Sequence, residues 1–293
     1  MTVATYAAAQ LLRVLPRERI TRAVGRLCDA RLHPVLSRLV VKAYARAYRV
    51  DLDAAAATVD PYESFDAFFT RALRDGVRPH CADTNAIVSP ADGRIDSLGP
   101  VIEGGELIVK GQRYRVGDLV GDPSEAERYA GGQFVIVYLS PRDYHRVHAP
   151  VDGTIKLIRS LPGDLYPVNS IGEMHVPGLF ARNRRVAVVI ETKDRGRVTV
   201  VLVGAMIVGR ITVSAIDARD VPLGEHVIDP PLEVKRGEEI GMFHLGSTAV
   251  VFAERGASPL WTRAPGSVLF GEPLHPVGAC EGTAGSDGGE SAR

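Results

Sequence analysis

Val186-Ala-Val-Val-Ile-Glu191 and Val198-Thr-Val-Val-Leu-Val203 are β-rich runs joined by a polar link that contains Asp194 and Gly196. β-branched residues favour strands, and Asp and Gly favour turns between them. Similar runs, separated by Gly, Pro and Asp clusters, begin near residue 85: Leu107–Val109, Phe134–Leu139, Ile155–Ile158, Ile211–Ile216 and Thr248–Phe252. This pattern predicts an antiparallel sandwich or barrel.

The first third of the chain has a helical pattern instead. One helix is predicted after Pro16 and a second after Pro34, with apolar residues at helical spacing in both. A third is predicted between Ser64, a typical N-cap, and Gly76, a typical stop. The sequence therefore predicts an α+β protein with N-terminal helices and a β-rich, sandwich-like or barrel-sandwich-like core.

Three regions follow from these patterns. Residues 1–75 form a predicted helical region at a membrane surface, and residues 76–276 form a β-rich catalytic domain. Residues 277–293 contain mainly small and polar residues with almost nothing to bury, which predicts a disordered tail.

Charge is balanced over the whole chain but not along it. The 293 residues contain 35 basic and 35 acidic side chains, so no nucleic-acid partner is expected. Residues 1–50, however, contain ten Arg or Lys and only two acids, a net charge of +8. This favours contact with an anionic surface, although packing against the core or a dimer partner explains the helices equally well. A cleaved transit peptide is a weaker alternative.

The number of cysteines and the length of the apolar stretches limit the cellular compartments in which this protein is expected. Cys28, Cys81 and Cys280 have neither the number of a disulfide framework nor the spacing of a metal site, which favours reduced thiols and no metal. The longest apolar stretch, from Val198 to Gly209, is about half the length that spans a bilayer. We expect a protein that does not cross a membrane.

A turn motif occurs twice. Pro90-Ala-Asp92-Gly93-Arg94-Ile95 returns as Pro150-Val-Asp152-Gly153-Thr154-Ile155, and each copy enters a predicted strand. The repeat suggests a duplicated hairpin, as in barrel-sandwich modules that carry lipoyl groups.

Leu245-Gly246-Ser247-Thr248 precedes an apolar run and allows unusual chemistry. The Ser247 hydroxyl can add to the carbonyl of Gly246, which has no side chain to block it. Collapse to an ester, elimination and hydrolysis would leave a ketone, a pyruvoyl group, at the new N-terminus. A plain Gly-Ser turn is the alternative.

Two imidazoles and a carboxylate are candidates for acid–base work. His145 and His148 lie between Pro141 and Pro150, in a predicted loop after a strand. Asp92 could orient His148, and the equivalent Asp152 is interpreted as structural only.

Eight motifs occur in a characteristic order: Phe68-Phe69-Thr-Arg71-Ala-Leu73-Arg74-Asp75, Arg78-Pro79, Pro90-Ala91-Asp92-Gly93, Tyr138-Leu139-Ser140-Pro141-Arg142-Asp143-Tyr144-His145-Arg146-Val147-His148, Pro162-Gly163-Asp164-Leu165, Leu179-Phe180-Ala181-Arg182-Asn183, Val203-Gly204-Ala205 and Leu245-Gly246-Ser247-Thr248. In this order the chain resembles the bacterial membrane-associated, pyruvoyl-dependent phosphatidylserine decarboxylases in their proenzyme form.

The resemblance implies a self-cleaving enzyme that converts phosphatidylserine to phosphatidylethanolamine and CO2. Cleavage between Gly246 and Ser247 would give β and α chains of 246 and 47 residues that stay associated. Ser247 would become a covalent pyruvoyl cofactor, with Asp92 and His148 completing its triad. His145 would act in decarboxylation.

The resemblance further implies a homodimer of cleaved pairs, bound peripherally to the cytoplasmic face of the cell membrane. Three other classes stay open from the residues alone. They are a non-catalytic barrel-sandwich binding module, a pyruvoyl decarboxylase for a soluble amino acid, and a metal hydrolase that uses His145 and His148.

Overall fold

The computed structural model describes residues 16–56, 60–78, 81–168, 170–207 and 210–275. Helices occupy α1 (Arg17–Asp29), α2 (Pro34–Tyr48), α3 (Phe65–Phe69), α4 (Val116–Val120), α5 (Ala126–Tyr129), α6 (Ser170–His175) and α7 (Leu179–Arg182), with 3-10 turns at Glu103–Gly105 and Pro123–Glu125. The predicted disordered tail, 277–293, and Cys280 lie outside these residues, and the boundary at residue 76 stays a prediction.

Thirteen strands follow within the described residues: β1 (Gly93–Pro100), β2 (Glu106–Val109), β3 (Gln112–Arg115), β4 (Gln133–Leu139), β5 (Arg146–His148), β6 (Gly153–Leu161), β7 (Arg185–Glu191), β8 (Arg197–Val203), β9 (Arg210–Val213), β10 (Gly224–Val234), β11 (Glu239–His244), β12 (Ser247–Ala253) and β13 (Gly266–Val268). The large sheet has the order β10-β6-β7-β8-β12-β4-β1-β13, and its pairings are antiparallel. A second sheet has the order β5-β11-β9, and β2 pairs with β3. The predicted α+β class is confirmed.

The interior strands of the large sheet are covered on both faces. In β7, β8 and β12 almost every residue is buried, which explains their continuous apolar runs. Helix α4 contacts β7 and β8. The small sheet approaches closely enough that a Cβ on Gly241 would lie 3.0 Å from Leu202 Cδ2. The core therefore lies between layers.

The repeated turns have the same structural task. Gly93 and Gly153 each begin a strand, and a Cβ at either position would lie within 2.6 Å of a partner-strand carbonyl oxygen. The two copies also meet, because Val88 N–H donates to the Pro150 carbonyl and His148 N–H donates to that of Pro90. The repeat thus brings the segment before Asp92 against the segment after His148.

The third helix was predicted too long. The Ser64 hydroxyl accepts from Ala67 N–H, as expected of an N-cap, but the helix ends at Phe69. The chain then turns away to pair with an earlier segment, since Ala56 N–H donates to the Ala72 carbonyl. Gly76 is therefore not the stop of this helix.

Side-chain contacts anchor the N-terminal helices to the core. Thr21 of α1 is buried, and its hydroxyl accepts from Ile207 N–H at 3.1 Å. Arg210 of β9 binds Asp29 of α1 and Asp66 of α3. Helices of the described chain are too short or too polar to cross a bilayer.

Candidate active site

Ser247 begins an interior strand of the large sheet. It lies opposite Leu139, the last residue of β4, and Thr248 pairs with Val203 of β8. The Ser247 side chain is 1% exposed, and its hydroxyl has no hydrogen-bond partner among the described residues. A buried hydroxyl without a partner costs stability.

The backbone just before Ser247 is strained. Leu245 has φ of 93°, a conformation that β-carbon-bearing residues rarely adopt and that costs about 1–3 kcal/mol. Leu245 and Gly246 alone connect β11 of the small sheet to β12 of the large sheet. A Cβ on Gly246 would meet only the Leu139 oxygen, at 3.9 Å, so packing does not require glycine there.

Ser247 lines a cavity of about 380 Å³, here called the serine cavity. None of its described lining residues is charged, and aromatic rings from α2, α3 and β4 form much of the wall: Tyr44, Tyr48, Phe65, Phe69 and Tyr138. The Tyr44 hydroxyl donates to the Pro141 carbonyl at 3.0 Å and so fixes α2 to the loop after β4. The helices thus close the site that the strands supply.

His145 is held neutral behind this wall. It is fully buried, and its ring lies 4.1 Å from that of Phe69, which lines the serine cavity. Nδ1 must carry the proton, because it bonds the Asp143 carbonyl at 2.8 Å. Nε2 has no partner among the described residues. Burial lowers the His145 pKa to about 3, so the ring presents an unprotonated Nε2 at neutral pH.

This burial predicts acid sensitivity. Because the folded-state pKa of about 3 lies below the ordinary 6.5, the unfolded chain binds the proton first. The contribution to stability is present above pH 6.5 and is lost as pH falls toward 3, and the loss amounts to roughly 3 kcal/mol at pH 4. Urea unfolding at pH 7 and pH 4 should show a smaller loss for His145→Gln than for the unmutated protein. Equal losses would contradict the burial of a neutral ring.

His148 ends β5 and has the same tautomer. Its Nδ1 donates to the Gly237 carbonyl at 2.7 Å, and its Nε2 accepts from the Tyr144 hydroxyl at 3.2 Å. The ring stacks on Phe270 at 4.0 Å with an interplanar angle of 6°. Burial lowers the pKa of His148 as well. Both imidazoles therefore present an unprotonated Nε2 at neutral pH.

Asp92 is buried beside His148 but makes no hydrogen bond to it. Its carboxylate accepts two hydrogen bonds at 3.0 Å from Arg78 Nε and one from the same guanidinium's terminal nitrogen. Phe270 N–H donates to Asp92 Oδ1 at 2.9 Å, and the Phe270 ring stacks on His148. Phe270 thus contacts both groups, and the predicted orienting role of Asp92 stays a prediction.

The predicted residues face two cavities. Gly246 and Ser247 line the serine cavity, whereas Asp92 lines a neighbouring one together with Tyr144, the hydrogen-bond partner of His148. Asp152 is exposed and accepts from Arg236 N–H, as expected of a structural turn. Among the described residues, no group of three or more His, Cys, Asp or Glu could hold a metal ion.

Four contacts were missed from the sequence: Phe69 on His145, Tyr144 and Phe270 on His148, and Arg78 on Asp92. Arg78 and Phe270 are distant in sequence from their partners and carry no local signal. Tyr144 does have one, because a tyrosine four residues before a histidine in a Pro-bounded loop can reach back to it.

Comparisons with known proteins agree on one family. A family model described as phosphatidylserine decarboxylase matches residues 65–274. Proteins named phosphatidylserine decarboxylase proenzyme from Acinetobacter baylyi and Psychrobacter arcticus are each 40% identical, over 89% and 86% of this chain and 92% and 90% of their own lengths. One from Shewanella loihica is 40% identical over 83% of this chain and 88% of its own. The matched residues include Asp92, His145, His148 and Ser247, and this chain belongs to the phosphatidylserine decarboxylase family.

Proposed function

We propose that this chain cleaves itself between Gly246 and Ser247 and then decarboxylates phosphatidylserine. One observation carries the proposal. The Ser247 hydroxyl is buried without a partner among the described residues, and it directly follows Gly246, which has no side chain, and the strained Leu245. These are the requirements of an attack by a side chain on its own backbone.

Cleavage proceeds through balanced steps. Ser247 Oγ forms a bond to the Gly246 carbonyl carbon, and the bond from that carbon to the Ser247 nitrogen breaks, which gives an ester. Loss of the Ser247 α-proton then expels the Gly246 carboxylate and leaves dehydroalanine. Addition of water and loss of ammonia leave a ketone on residue 247. The strain at Leu245 is released when the backbone opens.

His148 is the proton acceptor that the family resemblance assigns to this step. Its Nδ1–H is fixed on the Gly237 carbonyl, so only Nε2 can take a proton. Tyr144 occupies that nitrogen and would relay or yield its position. Asp92 stabilises the positive charge through proximity, consistent with its raising effect on the pKa of His148.

The serine cavity fits a pyruvoyl group on residue 247. When bound, this group supplies an electron sink for the pair left behind as CO2 departs. The uncharged, aromatic wall gives the substrate carboxylate no cationic partner, which favours its loss. The family resemblance assigns His145 a part in decarboxylation, and its free Nε2 lies behind Phe69.

The two chains should stay together after cleavage. β12 would begin the α chain, and it pairs with β4 and β8 of the β chain along its whole length. Mass spectrometry of the unmutated protein tests the proposal directly. We expect chains of 246 and 47 residues, copurifying under native conditions, and a keto group in place of the α-chain amine. An intact chain, or an α chain that begins with an ordinary serine, would contradict the proposed self-cleavage.

The N-terminal helices support peripheral attachment to the cytoplasmic face of the cell membrane. Large apolar side chains project outward from α1 and α2: Leu27, Val35, Leu36 and Leu39. Basic residues lie beside them on the same helices, and each contributes on the order of 1 kcal/mol at an anionic leaflet. The membrane would thus meet the helices that close the serine cavity. A homodimer of cleaved pairs is the assembly that we propose.

Leu39→Glu should weaken membrane binding. The Leu39 side chain is 65% exposed, so its replacement costs little stability but places a charge in the proposed contact. Sedimentation with phosphatidylserine-containing vesicles should show affinity reduced about tenfold. Leu260→Glu is the matched control, since Leu260 is 64% exposed outside these helices. Equal binding by the two variants would refute the proposed contact.

A further inference from the structure

Four arginines surround the cavity that Asp92 lines. Arg49, Arg71, Arg78 and Arg142 contribute to a space of about 360 Å³, here called the arginine cavity, together with Asp51, Asp92 and Asp143. The four arginines and three aspartates nearly balance in charge, but the hydrogen bonds do not pair each arginine with an aspartate.

Each carboxylate of the arginine cavity already has partners. Asp92 is bound by Arg78 and Phe270 N–H. Asp51 accepts from the backbone N–H groups of the two residues that begin the next turn, and Asp143 accepts from the N–H and hydroxyl of Ser140. Arg142 lies 3.6 Å from Asp143.

Arg49 and Arg71 remain without an acceptor. Neither side chain donates a hydrogen bond to another described residue, and Arg71 Nε is buried with no partner. Arg71 is only 6% exposed, and its nearest aromatic contact is the Phe68 ring at 5.3 Å. Asp51 and Asp92 of the same cavity attract Arg71 but accept no hydrogen bond from it, and a buried guanidinium is unfavourable unless an acceptor completes its hydrogen bonds. No described residue supplies this acceptor, so an oxyanion from outside the chain would complete the arginine cavity.

The arginine cavity and the serine cavity are lined by residues that are neighbours along the chain, although no described residue lines both. Three segments contribute to the two cavities in this way: Tyr48 at the end of α2 and Arg49 after it, Phe69 at the end of α3 and Arg71 after it, and Pro141 and Arg142 after β4. The serine cavity offers no charged group to an anion among its described residues. A phosphoserine headgroup has two anions, and only one of them is lost in the reaction.

We propose that the arginine cavity binds the phosphate oxyanion of the phosphoserine headgroup, with Arg71 and Arg49 as its ligands, while the serine part enters the serine cavity. This inference rests on the proposed function. Guanidinium groups suit phosphate because they donate paired hydrogen bonds in a plane. Arg49 directly follows α2, the helix that carries three of the exposed apolar residues.

Binding to the full-length, uncleavable Ser247→Ala chain tests the site without catalysis. Calorimetric titration would use glycerophosphoserine, inorganic phosphate and L-serine as separate probes. Arg71→Gln should raise the dissociation constant for glycerophosphoserine about tenfold or more, and Arg49→Gln, at an exposed position, roughly threefold. Arg71→Lys should recover part of the loss. Arg74→Gln is the matched control, since Arg74 is exposed and lines a different cavity.

Each probe decides between sources of the anion. Glycerophosphoserine binding that depends on Arg71, with L-serine not bound, supports the headgroup assignment. Binding of inorganic phosphate alone overturns it in favour of a free-phosphate site, and Arg71-dependent binding of L-serine overturns it in favour of a carboxylate site. If none of the three probes binds, the arginine cavity is not an anion-binding site.

Kinetics separate this inference from the proposed function. In the cleavable protein, Arg71→Gln and Arg49→Gln should raise KM for phosphatidylserine and leave the cleaved fraction unchanged. An unchanged KM in both variants of an active enzyme defeats the inference alone. Failure of the unmutated protein to cleave defeats the proposed function, and the titrations above would still stand.

Discussion

Ser247→Ala is expected to leave a single chain of 293 residues with no decarboxylase activity. The Ser247 hydroxyl is the only group attached at the position where the Gly246 carbonyl can be attacked through a five-membered ring. Removing it deletes both the nucleophile and the atoms of the future keto group. The fold should survive, because the hydroxyl makes no hydrogen bond that would be lost. Denaturing electrophoresis and intact mass would show one species.

Ser160→Ala is the matched control for this experiment. Ser160 is also buried in a strand of the large sheet, and its hydroxyl donates one hydrogen bond to the Val221 carbonyl at 3.2 Å. Its loss should cost about 1 kcal/mol of stability and leave cleavage intact. Cleavage of the Ser247→Ala chain at the same bond would show that another group performs the attack.

His145→Gln is expected to yield cleaved chains that decarboxylate poorly. His145 bonds only the Asp143 carbonyl through Nδ1, and its free Nε2 lies behind the aromatic wall of the serine cavity. Removing a proton carrier from a buried site typically lowers the rate by about 10²–10⁴-fold. The measurement is CO2 release per keto group, so that incomplete cleavage does not count as lost turnover.

His148→Gln provides the opposite comparison. Its Nε2 is the proton acceptor proposed for cleavage, so the half-life of the intact chain should lengthen by a comparable factor. The two variants should therefore separate: one cleaves but turns over slowly, and the other cleaves slowly. If both lost cleavage equally, the assignment of His145 to decarboxylation would be wrong.

Periodicity predicted the central strands β7, β8 and β12 of the large sheet, and it missed the edge strand β10 and the middle strand β11 of the small sheet. The strands β7, β8 and β12 are buried throughout, and their apolar runs are unambiguous. β10 was missed because it is largely exposed and contains Pro230-Pro231, which cannot donate to a ladder. β10 indeed lies at the edge of the large sheet, where prolines are tolerated. The residues of an exposed edge strand are selected for contact with solvent, so such a strand need not show a hydrophobic pattern.

The site was predictable in its members and not in its contacts. Family resemblance pointed to Asp92, His145, His148 and Ser247, but spacing along the chain could not reveal which of them touch. The pairing of Asp92 with Arg78 depends on side-chain reach across a cavity. The neutral state of His145 depends on burial that only the packed helices create. Both are tertiary properties, absent from any local window.

Residue 247 is the first residue of an interior strand, so its conversion to a ketone depends on the sheet having formed. Under the proposed function, the reactive ketone forms only where two flanking ladders already hold that residue beside an open carbonyl. A nascent or misassembled copy has no such geometry and remains chemically inert. Every active molecule has therefore folded correctly, and the number of catalytic centres equals the number of chains that folded and cleaved.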